Sequence, residues 1–462
     1  MSVSILERIP IHASEPPTDP FTLGPFDQTA GFVPIQVVWL YEDAGKAILP
    51  VERLRRAMEL LLLYYPHVSG RIHVDPQTGL RQITNFAAGA EFVVATCNSR
   101  LDSFAAPSPG RIMALPGAGN ALLPPFDPNP ASASSQPILA VQRTQFVCGA
   151  VSLGIRMAHT VCDGSGYFIL VRHLAELCRG LAVSSTPTLA CPPQIKPFGA
   201  ELIGSEVNDD VPEPTIFTTK APSGSPYIPP PYPPIGRFLR FTRQQLAELK
   251  QRATEPGGTS WVTTFEALAA HLHRRIYRAR LKLFSQDPTL GVLSPPDYLS
   301  PVDTRTRLGI SEDYFPNALF LSTLRGDDLE HLGLTDNGPL WKTAKAIHEA
   351  IRARALTDPA ELDKTIRWIA RQPNFAAINN PNFRYGTGSF MFSAWSKFDY
   401  IDLQFETGLL PVLACPPFTT SSTVDGLGYT LPPERGAEEG DVDVNLVLLE
   451  PLWPIFDKEM DL

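Results

Sequence analysis

The chain is poor in the features that mark several large protein classes. No apolar run approaches the ~20 residues a bilayer span requires. The opening MSVSILERIPIHASEPP lacks the basic stretch and apolar core of a secretory signal, since Glu7 and Arg8 interrupt it. The six cysteines (Cys97, Cys148, Cys162, Cys178, Cys191 and Cys415) include no C-x-x-C pair, and most stand in apolar surroundings, as reduced thiols in or near a core do. G-x-S-x-G, P-loop and G-x-G-x-x-G patterns are all absent, which removes the common hydrolase, NTPase and dinucleotide signals. Basic charge is also scarce: 39 Lys and Arg against 48 Asp and Glu leave a formal charge of −9, which argues against a nucleic-acid partner. A local cluster of basic side chains or backbone N–H groups still suffices for an anionic cofactor. These exclusions set the expectation of a cytoplasmic protein without integral membrane association.

At 462 residues the chain exceeds one ordinary core, and two domains are expected. With 44% hydrophobic and 19% charged residues it reads as globular. Pro34–Tyr41 is β-branched and apolar, as in a buried strand, and residues 50–65 place Leu54, Met58, Leu61 and Leu62 on one helical face. Strand-like pieces follow near 71–74 and 90–95, then an irregular connection over 106–137. Residues 138–146 and 149–157 read as adjoining strands, with a helix from about Tyr167 to Arg179 ended by Gly180. Residues 187–234 hold 13 of the 47 prolines and read as a linker, so the division is 1–186, 187–234 and 235–462. Beyond it, a strand from Gly236 leads into a helix with Thr242 as a possible N-cap, and 261–280 forms a second helix. Strands are expected near 320–323, 389–396, 409–414 and 442–449, and helices near 339–355 and 359–371. The fold class is α/β: two similar domains, each a mixed sheet flanked by helices.

His159 and Asp163 form H-x-x-x-D-G, and among nine histidines only His159 has Asp four positions later. At an Asp abundance of roughly one in twenty, nine histidines yield about half such a match by chance. Position adds weight. A buried strand delivers His159 to its end, and Gly164 and Gly166 keep the following turn open. An imidazole there can take a proton from a hydroxyl, a role worth roughly 10²–10⁴ in rate. The plainer alternative is a hydrogen-bonded core histidine. The H-x-H of His271 and His273 reads as core or solvent histidines, since a helix turns those positions about 200° apart, and no metal site is expected.

ILAVQRTQFVCGAVSLGIRMAHTVCDGSGY resembles the core block of the BAHD acyltransferases, Q-x-T-x-F-x-C-G followed by H-x-x-x-D-G. PVERLRRAMELLLLYYPHVSGRI is similar to the family's early helix, and WVTTFEALAAHLHRRIYRAR to its S-T-F-E-A helix, with Thr263 for Ser. SPVDTRTRLGISEDYFPNALF resembles V-D-x-R-x-R … Y-F-G-N-A, with Pro316 for Gly, and GSFMFSAWSKFDY the stretch ending T-S-W. The blocks stand in family order from residue 50 to 400. A relaxed form of the family's second motif, D-F-G-W-G, which falls on residues 404–408, and the abundance of proline look more like fungal secondary-metabolite members, such as trichothecene O-acetyltransferases.

The resemblance implies a tunnel at the domain interface and transfer from acyl-CoA, expected as acetyl-CoA, to a small-molecule alcohol by a monomer. His159 would be the general base, and Asp163 would hold the loop through Arg305 or Arg307. Ser393 and Trp395 would lie near the developing oxyanion, with Gly164 in the motif turn. Lys250 and Thr264 match positions near the coenzyme. The family's D-F-G-W-G motif falls on Gln404-Phe405-Glu406-Thr407-Gly408, where only Phe405 and Gly408 match; Asp402 or Glu406 is left as a substitute carboxylate. Three alternatives remain open: a condensation-domain relative, opposed by Ala158 before His159; a carnitine-type enzyme, echoed by TTSST at 419–423; and a catalytically weakened binding or scaffold protein.

Overall fold

The computed structural model describes residues 2–42, 48–104, 110–127, 129–205, 211–221, 229, 231–258, 261–334 and 338–459. Parts of the expected connection (106–109 and 128) and linker (206–210, 222–228 and 230) lie outside them.

Two six-stranded mixed sheets organise the chain. The first runs Val3–Ile11, Ala90–Cys97, Leu139–Phe146, Val151–Ala158, Pro34–Tyr41 and Leu413–Cys415. Its last strand comes from late in the chain and pairs antiparallel with Val38–Leu40. The second runs Leu319–Leu324, Tyr298–Asp303, Phe390–Ala394, Leu427–Leu431, Val442–Leu449 and Pro234–Phe241. A three-stranded sheet of Phe21–Thr22, Arg81–Thr84 and Arg71–Val74 stands beside them.

One face of the first sheet packs against Val51–Tyr64 and Gly164–Gly180. Alternation along Val151–Ala158 sends Leu153, Ile155 and Met157 into that core, beside Leu54, Leu61, Leu170 and Leu174. The second sheet is backed by Thr264–Gln286, whose Leu268, Leu272 and Ile276 meet Phe390, Phe392 and Leu446. Buried on one side and solvated on the other, each helix keeps the apolar stripe expected of it.

Some boundaries move. The helix expected from Tyr167 begins at Gly164 because the Asp163 side chain accepts from the Gly166 N–H and caps it. Gly180 is the last helical residue rather than a left-handed stop, and Leu181 follows in right-handed geometry. Thr242 caps Arg243–Arg252 with Gln245 in a capping box, as expected, and Thr263 does the same with Glu266 for Thr264–Gln286. The strand expected over 409–414 is the shorter Leu413–Cys415. Among the described residues no helix is long and apolar enough to cross a membrane.

Candidate active site

His159 follows the last residue of the Val151–Ala158 strand, in a turn running to Asp163. Its backbone is held from two sides. The His159 N–H donates to the Val33 carbonyl at 2.9 Å, and the Asn317 side-chain amide donates to the His159 carbonyl at 3.0 Å. The imidazole is half-buried, and its Nδ1 is enclosed without a hydrogen-bond partner among the described residues. Asp163 is not that partner, because its carboxylate points away into the protein.

Asp163 is fully engaged there. Arg305 Nη1 and Nη2 each donate at 2.8 Å to one of its oxygens, and the Ala318 N–H adds a bond at 2.9 Å. With the Gly166 cap bond at 3.1 Å, both oxygens are satisfied in a buried site. Arg305 also reaches the Pro316 carbonyl at 3.0 Å. Burial lowers its affinity for the proton, but the Asp163 and Asp303 carboxylates outweigh this and hold the guanidinium above its ordinary range. Arg307 is placed elsewhere: its Nη1 donates to the Asp303 carbonyl, so of the two arginines considered only Arg305 pairs with Asp163.

The glycines of the turn act through close approach rather than unusual backbone angles. A Cβ on Gly166 would overlap the Phe315 carbonyl oxygen, and one on Gly164 would press on the Phe398 ring. The turn is therefore wedged between segment 314–318 and segment 395–400. Phe168, one helical turn beyond, meets Trp395 edge-on at 5.8 Å and stacks on Tyr400 at 4.8 Å. Ser393 lies on Phe390–Ala394 opposite Tyr429, two residues before that tryptophan, and is half-buried. The first half's helix thus contacts the strand end that carries Ser393 and Trp395.

The remaining expected residues lie apart from this turn. Lys250 is exposed on Arg243–Arg252, and Thr264 is the exposed first residue of Thr264–Gln286. Gln404 accepts the Gly408 N–H at 2.8 Å, and its carbonyl accepts from Arg179; Gly408 adopts a φ of +80°. Between them Phe405 is buried against Trp39 and Tyr41, and Glu406 pairs with Arg53 at 3.3 Å while accepting the Leu49 N–H. Asp402 pairs with Arg435 at the surface. Both substitute carboxylates therefore hold an arginine. His271 and His273 are core residues, each drawn down to about 3 by burial. No group of three or more His, Cys, Asp or Glu able to hold a metal occurs among the described residues.

Sequence reasoning missed Asp27. It is buried, accepts the Gly24 N–H at 2.9 Å and the Asn317 N–H and amide at 3.1 and 2.7 Å, and so anchors the amide that holds His159. Burial pushes its carboxyl up to about 7 against these bonds. A lone Asp in PFDQT carries no periodic or motif signal, so nothing in the sequence singles it out.

Two mixed sheets, with a His–Asp turn clamped between halves, define the two-domain fold of coenzyme-A-dependent acyltransferases. F. graminearum TRI101 complexed with coenzyme A and deoxynivalenol superposes with a TM-score of 0.72 at 18% identity, over 96% of this chain and 98% of that one. Vinorine synthase superposes at 0.67 and 15% identity, over 98% and 96%. The Transferase family model matches residues 1–462, and the chain belongs to that family, the BAHD acyltransferases. Shikimate O-hydroxycinnamoyltransferase of Nicotiana tabacum is 24% identical over 431 residues, covering 91% of this chain and 90% of that protein. Hydroxycinnamoyl-CoA:5-hydroxyanthranilate N-hydroxycinnamoyltransferase HHT1 of Avena sativa is 27% identical over 410 residues, covering 85% and 83%. The protein is an acyltransferase.

Proposed function

We propose that the protein transfers a short acyl group, acetyl in the first instance, from acyl-CoA to a hydroxyl of a small secondary metabolite. The observation that carries this is the division of labour at the turn: Asp163 is wholly spent on Arg305, the Ala318 N–H and the helix cap, while among the described residues the imidazole of His159 has no hydrogen-bond partner. An unengaged, half-buried imidazole is a suitable general base.

In the reaction the acceptor O–H approaches His159. With Nδ1 enclosed, Nε2 takes the proton as the oxygen bonds to the thioester carbonyl carbon. The tetrahedral oxyanion then collapses, the C–S bond breaks, and the proton passes from Nε2 to the departing thiolate of CoA. No acyl-enzyme forms. Ser393, with Trp395 beside it, is the proposed donor to the oxyanion, where a fixed hydrogen bond is worth most. Lys250 and Thr264 are proposed to face the coenzyme. The proposed reaction space is a tunnel between an N-terminal domain over 1–186 and a C-terminal domain over 235–462, in a monomer. TRI101 complexed with coenzyme A and a toxin supports the choice of co-substrate and of a small-molecule acceptor.

Calorimetric titration with acetyl-CoA and free CoA tests the reading, using wild type and His159→Ala. Both proteins are expected to bind both ligands, with transfer lost in the variant alone. Absence of CoA binding by the wild type would overturn it.

A further inference from the structure

Among the described residues, no side chain aims the His159 ring. In a catalytic triad a carboxylate bonded to Nδ1 orients the imidazole. Here Asp163 faces Arg305, and Nδ1 is enclosed without a partner among the described residues. The direction of the ring therefore depends on packing and on how firmly the backbone of the turn is held. A general base must come within about 2.6–3.2 Å of the hydroxyl it serves, so that hold bears on the rate.

Asn317 supplies part of the hold from the other half of the chain. It is 1% exposed. Its side-chain nitrogen donates twice, to Asp27 Oδ1 at 2.7 Å and to the His159 carbonyl at 3.0 Å. Its main-chain N–H reaches the same Asp27 oxygen at 3.1 Å, and the Gly24 N–H holds the other at 2.9 Å. The next residue grips the far end of the turn. The Ala318 N–H donates to Asp163 at 2.9 Å, while its carbonyl accepts both the N–H and the hydroxyl of Thr304 at 2.8 Å.

The segment that carries Asp27 meets the turn twice more. The Gly31 carbonyl accepts the Thr160 hydroxyl at 3.2 Å, and the Val33 carbonyl accepts the His159 N–H at 2.9 Å. Arg81 pins this segment, donating to the Asp27 carbonyl at 3.0 Å and to the Ala30 carbonyl, with its guanidinium over the Phe32 ring at 4.2 Å. His159 is thus fixed at its N–H and at its carbonyl by different elements, and a pivot about one bond is blocked by the other. The position calls for a short side chain with two donors on one nitrogen, which asparagine supplies and aspartate, serine or leucine does not. The amide oxygen of Asn317 is buried without a partner among the described residues, so the site is built around those two donors.

We propose that Asn317, anchored by Asp27, is a positioning residue for the general base and acts on the reaction only through the aim of the His159 ring. The inference rests on the reading of His159 as that base.

The test uses the full chain, labelled at histidine Cε1 and read by NMR, together with acetyl-CoA turnover against a panel of primary alcohols. His159→Ala identifies the His159 signal by its loss. Asn317→Ala should shift and broaden that signal, leave those of His271 and His273 in place, and keep the affinity for acetyl-CoA within about threefold. Turnover should fall by roughly 10- to 100-fold, the effect of an ångström-scale misplacement. Added to His159→Ala, it should slow turnover no further. Asp27→Asn, which leaves the amide without its anion, should give the same signature in smaller measure and serves if Asn317→Ala does not fold. The signal is read without an acceptor, so it decides the point whichever alcohols are turned over. An unmoved His159 signal in both variants, or a double variant that multiplies the two losses, would overturn the proposal while His159→Ala stays inactive. Full transfer by His159→Ala would remove the base reading itself, and the positioning role with it.

Discussion

His159 and Asp163 stand four residues apart and face different tasks. The imidazole has no polar partner among the described side chains, so replacing it removes no structural bond. His159→Ala is therefore expected to lower turnover by roughly 10²–10⁴ while leaving the melting temperature near that of the wild type. A rate within a few-fold of wild type in single-turnover assays would remove the base assignment. Asp163 is the opposite case. Its two oxygens meet two guanidinium donors and two backbone N–H groups in a buried site. Asp163→Asn turns part of that acceptor set into a donor facing N–H groups, and leaves Arg305 charged opposite a neutral amide. The expected loss is about 3–5 kcal/mol in urea unfolding, the range for breaking one side of a buried pair. Arg305→Met should cost a similar amount, and the double variant less than the sum, because both remove one interaction. An Asp163→Asn protein of unchanged stability and rate would contradict the pairing.

Between residues and domains, short segments decide where the site sits. The five-residue helix Pro25–Thr29 carries Asp27, which fixes Asn317 and through it the His159 carbonyl. Its carboxyl is held at about 7 in the folded chain, against 3.8 for the free group, first by burial. Between those two values the native state binds more protons than the unfolded one, so this group's contribution to stability falls as pH rises from about 4 to 7. The slope from one group is at most about 1.4 kcal/mol per pH unit. Asp27→Asn should be less stable at pH 5, having lost an acceptor, yet show a flatter change between pH 5 and 7. Parallel urea slopes for the two proteins over that interval would sink the argument. Elements of this kind were the hardest to read from sequence. Pro34–Tyr41 and Val442–Leu449 show their strands through β-branched apolar runs, and Thr242 announces its helix through the capping pattern. Tyr298–Asp303 does not, because Pro301 argues against a central strand. The structure accommodates it because the parallel pairing to Phe390–Ala394 covers only Tyr298 and Leu299. Asn317 and Asp27 were illegible for another reason. Their significance lies in neighbours brought close only by the fold: Asp27 and Asn317 are 290 positions apart.

At the scale of the whole molecule, the two sheets are tied by more than a linker. Leu413–Cys415 completes the first sheet although it follows most of the second in sequence. The Trp39 indole donates to the Tyr400 carbonyl at 2.9 Å, the Tyr41 hydroxyl to the Leu403 carbonyl at 3.1 Å, and Gln36 to the Thr419 hydroxyl. Phe405 fills the core between Trp39 and Tyr41, and the buried Asp163–Arg305 pair crosses from one half to the other. A chain of this size would ordinarily be expected to unfold in stages. Here, separating the halves strips an edge strand from one sheet, opens the core around Phe405 and exposes the charged pair. Those losses couple the halves. Calorimetric unfolding is therefore expected as one transition, with calorimetric and van't Hoff enthalpies in agreement and tryptophan fluorescence coinciding. Asp163→Asn should move that single transition down without splitting it. Two separated transitions in the wild type would mean that each half is stable alone. The clamp on the His159 turn would then be a contact between finished domains rather than part of what folds them.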